Sequence, residues 1–297
     1  MHIGTPGRPW NDNEKAKWRA QQTKKREYEV VQREIEKLEH DFDVTSYGRL
    51  DYAPQSFSLF AVRTRHWNER LPIAVVTGGV HGYETSGVWG TVLFAQRHLT
   101  DYIGRVNVLL VPCVSPWAYE RIHRWNPLAL DPNRSFRAHS PAPESAALWN
   151  LLAPIRERVA MHIDLHETTD SDESEFGPAL AARDGVPFEP GAIPDGFYLV
   201  DDSAAPQPQF QRAIIDKVAK VTHIAPADAN GEIIGSPVVA PGVITYALRD
   251  LGLCAGITEA KYKTTTEVYP DSPRATPALC NDAQVTAVRA ALDYLLI

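Results

Sequence analysis

Apolar positions gather in short continuous runs at Phe57–Arg63, Ile73–Val80, Val106–Val114, Val159–Leu165, Phe197–Val200 and Leu253–Thr258. Runs of this length, largely without alternation, are expected of strands covered on both faces. Between them lie segments with helical spacing of apolar residues: Thr85–His98, Glu144–Val159, Gln209–Val221 and Asp282–Ile297. From Asn13 to Asp41 the chain is dense in Lys, Glu, Arg and Gln, without Pro or Gly, and Val30, Val31, Ile35 and Leu38 form one apolar stripe. That pattern predicts a solvent-facing helix docked along one side. Strands alternating with helices predict an α/β fold: a single domain over residues 46–297, with a mixed, mostly parallel central sheet flanked by helices on both faces. Residues 1–45 are expected to be an N-terminal helical extension packed on it. The Gly- and Pro-rich stretch from Gly177 to Pro208 reads as an elaborated loop region around one strand.

Composition narrows the function classes. The 297 residues are 44% hydrophobic and 23% charged, which excludes a disordered, coiled-coil or collagen-like chain. A net charge of -7 with no long Lys/Arg block argues against nucleic acid as a partner. No apolar run approaches the ~20 residues of a membrane helix, and the first twenty residues lack the apolar core of a signal peptide, so a cytoplasmic protein is expected. Cys113, Cys254 and Cys280 cannot all pair, and read as reduced thiols. The 23 prolines imply many defined turns, the usual carriers of binding residues.

In sheets of this kind ligands collect beyond the carboxyl ends of the strands. After Ile73–Val80 comes His81-Gly82-Tyr83-Glu84, a His and an acid three positions apart at a strand-to-helix turn, able to converge on one cation. After Val159–Leu165 comes His166, which with His81 and Glu84 makes two imidazoles and a carboxylate, a set suited to catalytic Zn²⁺. His162 and Asp164 compete within the same run. In a strand they share a face with His166, so one of the three can orient another. The loop between these elements holds Arg121, Arg124, Arg134, Asn126 and Asn133 around Asp131, and arginine forks are shaped for carboxylates. Glu259 follows the run Leu253–Thr258 and is the candidate general base.

Taken in order, HxxE, Arg-x-Asn-(x)4-Asp-x-Asn-Arg, Asp-x-His and a late strand-terminal Glu, the chain resembles the zinc carboxypeptidase family related to carboxypeptidase A, from about Ile73 to Ala260. Asp131-Pro132-Asn133-Arg134 carries most of that resemblance. The resemblance implies one Zn²⁺ per chain held by His81, Glu84 and His166, with Glu259 as the catalytic glutamate. It also implies that Arg124 stabilises the oxyanion and that Asn133 and Arg134 clamp a substrate carboxylate. The implied activity is a metallocarboxypeptidase acting on peptides. The family's substrate-covering tyrosine, some twenty residues before the catalytic glutamate, has no counterpart before Glu259: the segment Gly235–Pro241 holds none, and Tyr246 lies too close. The segments Asp164–Thr169 and Asn133–Phe136 also resemble the aspartoacylase and succinylglutamate desuccinylase branch, which implies N-acyl amino acids as the alternative substrate. Ile244 and Thr245 are candidates for the specificity pocket. The acids of Asp170–Glu175 are read either as a solvated loop or as an attractor of basic substrate ends or a second cation.

Overall fold

A computed structural model describes residues 3–297. Two helices, α1 (Asp12–Gln21) and α2 (Tyr28–Lys37), precede a hairpin of β1 (Asp43–Tyr52) and β2 (Gln55–Arg63). Then follow β3 (Ile73–Gly78), α3 (Thr85–His98), β4 (Asn107–Val111), α4 (Pro116–Arg121), α5 (Pro143–Leu152), β5 (Val159–Glu167) and α6 (Gly177–Asp184). The rest comprises β6 (Tyr198–Asp202), α7 (Pro208–Val218), the short pair β7 (Glu232–Ile233) and β8 (Ser236–Pro237), β9 (Val243–Tyr246), β10 (Tyr262–Val268) and α8 (Pro277–Leu295).

Eight strands form one mixed sheet in the order β1-β2-β4-β3-β5-β10-β6-β9. Its centre, from β4 through β3 and β5 to β10, is parallel. Helices cover both faces, which explains why the central strands read as continuous apolar runs. In β3, Ala74 and Val76 enter the core on one side, and Ile73 and Val75 the smaller core on the other. Burying each such aliphatic side chain is worth ~1.5–3 kcal/mol. In β5, Met161, Ile163 and Leu165 join the larger core. His162, Asp164 and His166 take the opposite face, as period-2 alternation requires, and all three are buried.

Four expectations change, the first being that the stretch read as loop from Gly177 opens with the helix α6. The single N-terminal helix is broken at Gln22–Glu27, where the amides of Lys25 and Arg26 both bond to the carbonyl of Glu120. The expected boundary at residue 45 falls inside β1. Most consequential, Leu253–Thr258 is not a strand: Cys254–Ile257 is a buried 3₁₀ turn. Gly252 enters it at φ +67°, and a side chain on Gly256 would meet the Arg249 amide nitrogen at 2.6 Å. The strand follows later as the threonine-rich β10. All three cysteines are free and buried. Among the described residues, no helix is long and apolar enough to cross a membrane.

Candidate metal centre and its cavity

The turn between β3 and α3 supplies the first two donors. Gly82 sits between them with α4 so close that a Cβ there would lie 1.9 Å from the Ala118 carbonyl carbon, so only glycine fits. The broken N-terminal segment braces this turn. Arg26 donates to the carbonyl of Gly82 (2.5 Å), to that of Tyr119 (2.7 Å) and to the Thr85 hydroxyl (2.8 Å). Glu167, at the end of β5, receives the amides of Thr85 and Ser86 and fixes the first turn of α3. These contacts leave His81 and Glu84 aimed at His166, the penultimate residue of β5.

The three side chains are almost fully buried, and their ligand atoms lie within 4.8 Å of one another. Glu84 bridges the imidazoles, with Oε1 2.7 Å from His81 Nδ1 and Oε2 2.8 Å from His166 Nδ1. Despite that approach, Oε2 has no hydrogen bond of acceptable alignment. Lone pairs directed at a shared point, with one buried oxygen left without a hydrogen bond, are the geometry expected of cation ligands. The other ring nitrogens meet carboxylates: His81 Nε2 lies 2.9 Å from Asp131, and His166 Nε2 2.5 Å from Asp164. Carboxylates behind metal-binding imidazoles fix ring orientation and raise ligand basicity. Thr77 on β3 donates to Asp164 at 2.6 Å, continuing the chain of support. Two imidazoles and a carboxylate with a cavity in front therefore suit Zn²⁺.

The cavity, of about 220 Å³, is lined by the three donors together with Arg124, Asn133, Arg134, Tyr246 and Glu267. Glu259 lies outside it. Its side chain is 46% exposed and pairs with Arg249 at 2.6 Å. This corrects the sequence expectation: with the 3₁₀ turn in place of a strand, Glu259 emerges at the surface. Glu267 takes the place expected of it, because parallel pairing of β10 with β5 sets Glu267 in register with His166. Thr168 Oγ1 donates to its Oε2 at 3.0 Å. Loss of hydration, reinforced by Glu84 and opposed by His166, pushes this carboxyl up to about 8.

The missing-tyrosine expectation is also overturned. Counted from Glu267, Tyr246 lies twenty-one residues upstream, and it lines the cavity. Ile244 is fully buried and does not reach the cavity; Ile193, Val200, Ile234, Leu253 and Thr265 form its less polar side instead. Arg124 is half-buried between Asp131 (3.0 Å), Asp172 (3.1 Å) and the Tyr83 hydroxyl (3.1 Å). Asp131 serves both Arg124 and His81, which hold its carboxyl well below the usual range despite burial. Asn133 is largely committed to structure: its Oδ1 accepts the Cys254 amide at 2.7 Å, while its Nδ2 lies 3.4 Å from His166 Nε2. Arg134 is exposed to the cavity, its guanidinium donating to the Asn133 carbonyl at 2.8 Å. In the acidic run, Asp172 also accepts the Tyr83 hydroxyl, Glu173 accepts the Gly191 amide, and Asp170 accepts the Tyr269 hydroxyl. Glu267, Asp131 and Tyr246 are the side chains whose roles sequence reasoning missed; the β-branched run Thr264–Thr266 was the available strand signal for the first.

Residues 70–180 match the family model of the succinylglutamate desuccinylase/aspartoacylase catalytic domain. The fold is similar to that of a candidate metallopeptidase from Shewanella amazonensis SB2B, at 19% identity and a TM-score of 0.65, covering 90% of this chain and 91% of that one. A second, from Shewanella denitrificans OS217, gives 19% identity and a TM-score of 0.64 over 90% and 88% of the two chains. A metallo-carboxypeptidase from Pseudomonas aeruginosa, solved with (2-guanidinoethylmercapto)succinic acid, gives 17% identity and a TM-score of 0.58 over 91% and 69%. A comparison with curated protein sequences finds no match. The chain thus has the zinc carboxypeptidase-like fold, and in fold and motif it resembles that family and its aspartoacylase-related branch.

Proposed function

We propose that this protein is a zinc-dependent hydrolase that cleaves an amide bond next to a free carboxylate, acting as a metallocarboxypeptidase on peptides. The observation that carries this reading is the convergence in one cavity of His81, Glu84 and His166 with Glu267 and the cavity-facing Arg134. His81, Glu84 and His166 would hold Zn²⁺, which would supply Lewis-acid activation of water and of a carbonyl. Arg134 binds the terminal carboxylate through its planar fork and so sets the scissile bond one residue inward. Arg124, oriented by Asp131 and Asp172, donates to the carbonyl oxygen as negative charge develops on it. Glu267 takes a proton from the attacking water at its carboxylate and delivers it to the leaving nitrogen, one group serving both steps. Tyr246 faces the bound residue from the end of β9.

Matched peptides with free and amidated C-termini test the reading on zinc-loaded protein. Amidation is expected to lower kcat/KM by at least ~30-fold, because it leaves the guanidinium without its anionic partner. Equal cleavage of the two removes Arg134 from the clamp. The family-model match over residues 70–180 favours a second reading, hydrolysis of small N-acyl amino acids by the same residues. Release of the acyl acid from such compounds, with peptides inert, selects it.

A further inference from the structure

A second cavity of about 540 Å³ opens beside the first and shares Arg124, Arg134 and Asp172 with it. The N-terminal segment supplies one wall with Trp10 and Lys15, and α6 supplies another with Leu180 and Arg183. Five cationic side chains line it, Lys15, Arg124, Arg134, Arg137 and Arg183, against three acids, Asp131, Asp172 and Asp184. Every one of those acids is already paired: Asp131 and Asp172 with Arg124, and Asp184 with Arg183. The reverse does not hold. Lys15 lies 3.9 Å from Asp12, a fully exposed side chain, and Arg134 bonds to a backbone carbonyl. Arg137 is exposed, and among the described residues no acid pairs with it. A chain of net charge -7 has thus concentrated unpaired positive charge in one concavity. Trp10, Trp125, Phe176 and Leu180 form its less polar walls, which strengthens attraction of an anion.

With Arg134 committed to the terminal carboxylate, Arg137 remains free and Lys15 is held only by the fully exposed Asp12 at 3.9 Å, a weak pair that an incoming anion can replace. A peptide whose last residue fills the metal cavity has Arg124, at the boundary between the cavities, beside its scissile carbonyl. We propose that the second cavity binds the residues preceding the scissile bond and selects acidic side chains there. This inference rests on the peptide reading above and adds a substrate class to it.

The test uses zinc-loaded full-length protein and pairs of peptides identical except for Glu or Gln at each of the three positions before the C-terminal residue. At low ionic strength the Glu peptide is expected to be preferred in kcat/KM by about tenfold at one or more positions, a preference that salt screens. The ratio should fall towards one in Lys15→Ala/Arg137→Ala and invert in Arg137→Glu. Melting curves establish that the variants, altered on the protein surface, remain folded. Equal cleavage of Glu and Gln peptides overturns the acidic preference and leaves the carboxypeptidase reading standing. A preference that persists in both variants overturns the assignment to this cavity. If no peptide is cleaved, the peptide reading fails and the inference fails with it.

Discussion

Two glutamates eight residues apart, each preceded by threonine, have opposite fates. Glu259 leaves a 3₁₀ turn whose apolar side chains face inward, and its carboxylate reaches solvent to pair with Arg249, itself 55% exposed. Glu267 lies on β10, hydrogen-bonded between β5 and β6, so its position is set by both neighbours and it lines the same cavity as His81, Glu84 and His166. The difference is between two ways of being buried. An apolar run can enter the core as a turn, whereas a central strand is defined by ladders on both sides and tolerates the polar Thr264–Thr266. Proximity to a hydrophobic segment is therefore a poor guide to which acid meets a site; strand register is a good one.

The largest effect is expected from changing these two acids in turn. Glu267→Gln should lower kcat/KM by ~10²–10⁴-fold, while Glu259→Gln stays within about twofold; peptide hydrolysis by zinc-loaded variants decides it. A collapse in Glu259→Gln instead would reverse the comparison.

A pH series on metal-free protein sharpens it. Loss of hydration raises Glu267 to about 8 and Glu167 to about 7, against an unfolded value near ~4.3. The folded state then holds more protons than the unfolded state, so these groups make stability fall as pH rises from ~4.3 through 8. Urea unfolding should show that decline, and Glu267→Gln should flatten part of it. An unchanged slope in the variant would show that Glu267 retains its hydration.

Smaller effects follow from the support around each group. Asp164→Asn should weaken zinc binding by ~10–100-fold in competition with a chelator, because His166 loses the anion behind its ring. Thr77→Val should act in the same direction and less. At the other end, Arg249→Ala removes an exposed ion pair and a long 3.4 Å hydrogen bond to the Thr258 carbonyl, and should cost no more than ~1 kcal/mol of unfolding free energy. A larger loss would mean that the Glu259 corner is structural after all.

Much of this was legible in one dimension. Three of the four central strands, β3, β4 and β5, follow from apolar runs, because a strand sandwiched between two cores must be apolar on both sides. His81 and Glu84 were legible because a single turn holds both, and His166 because it follows directly on the strand-like run Val159–Leu165. The helix break at Gln22–Glu27 was not. The reason for that break, Arg26 gripping the Gly82 loop, lies more than fifty residues away. Glu267 and Tyr246 were missed together, since misplacing one strand shifts every count made from it.

By itself the sequence determined the α/β class, the two-imidazole, one-carboxylate set and the arginine loop, all features encoded by neighbours along the chain or by periodicity. Only the tertiary structure decided which acid shares a cavity with His81, Glu84 and His166 and which tyrosine borders it. It alone brought Lys15 and Arg137 to the same concavity as Arg134. Those outcomes depend on register between strands and on packing between distant segments, where a shift of one residue turns a side chain to the opposite face.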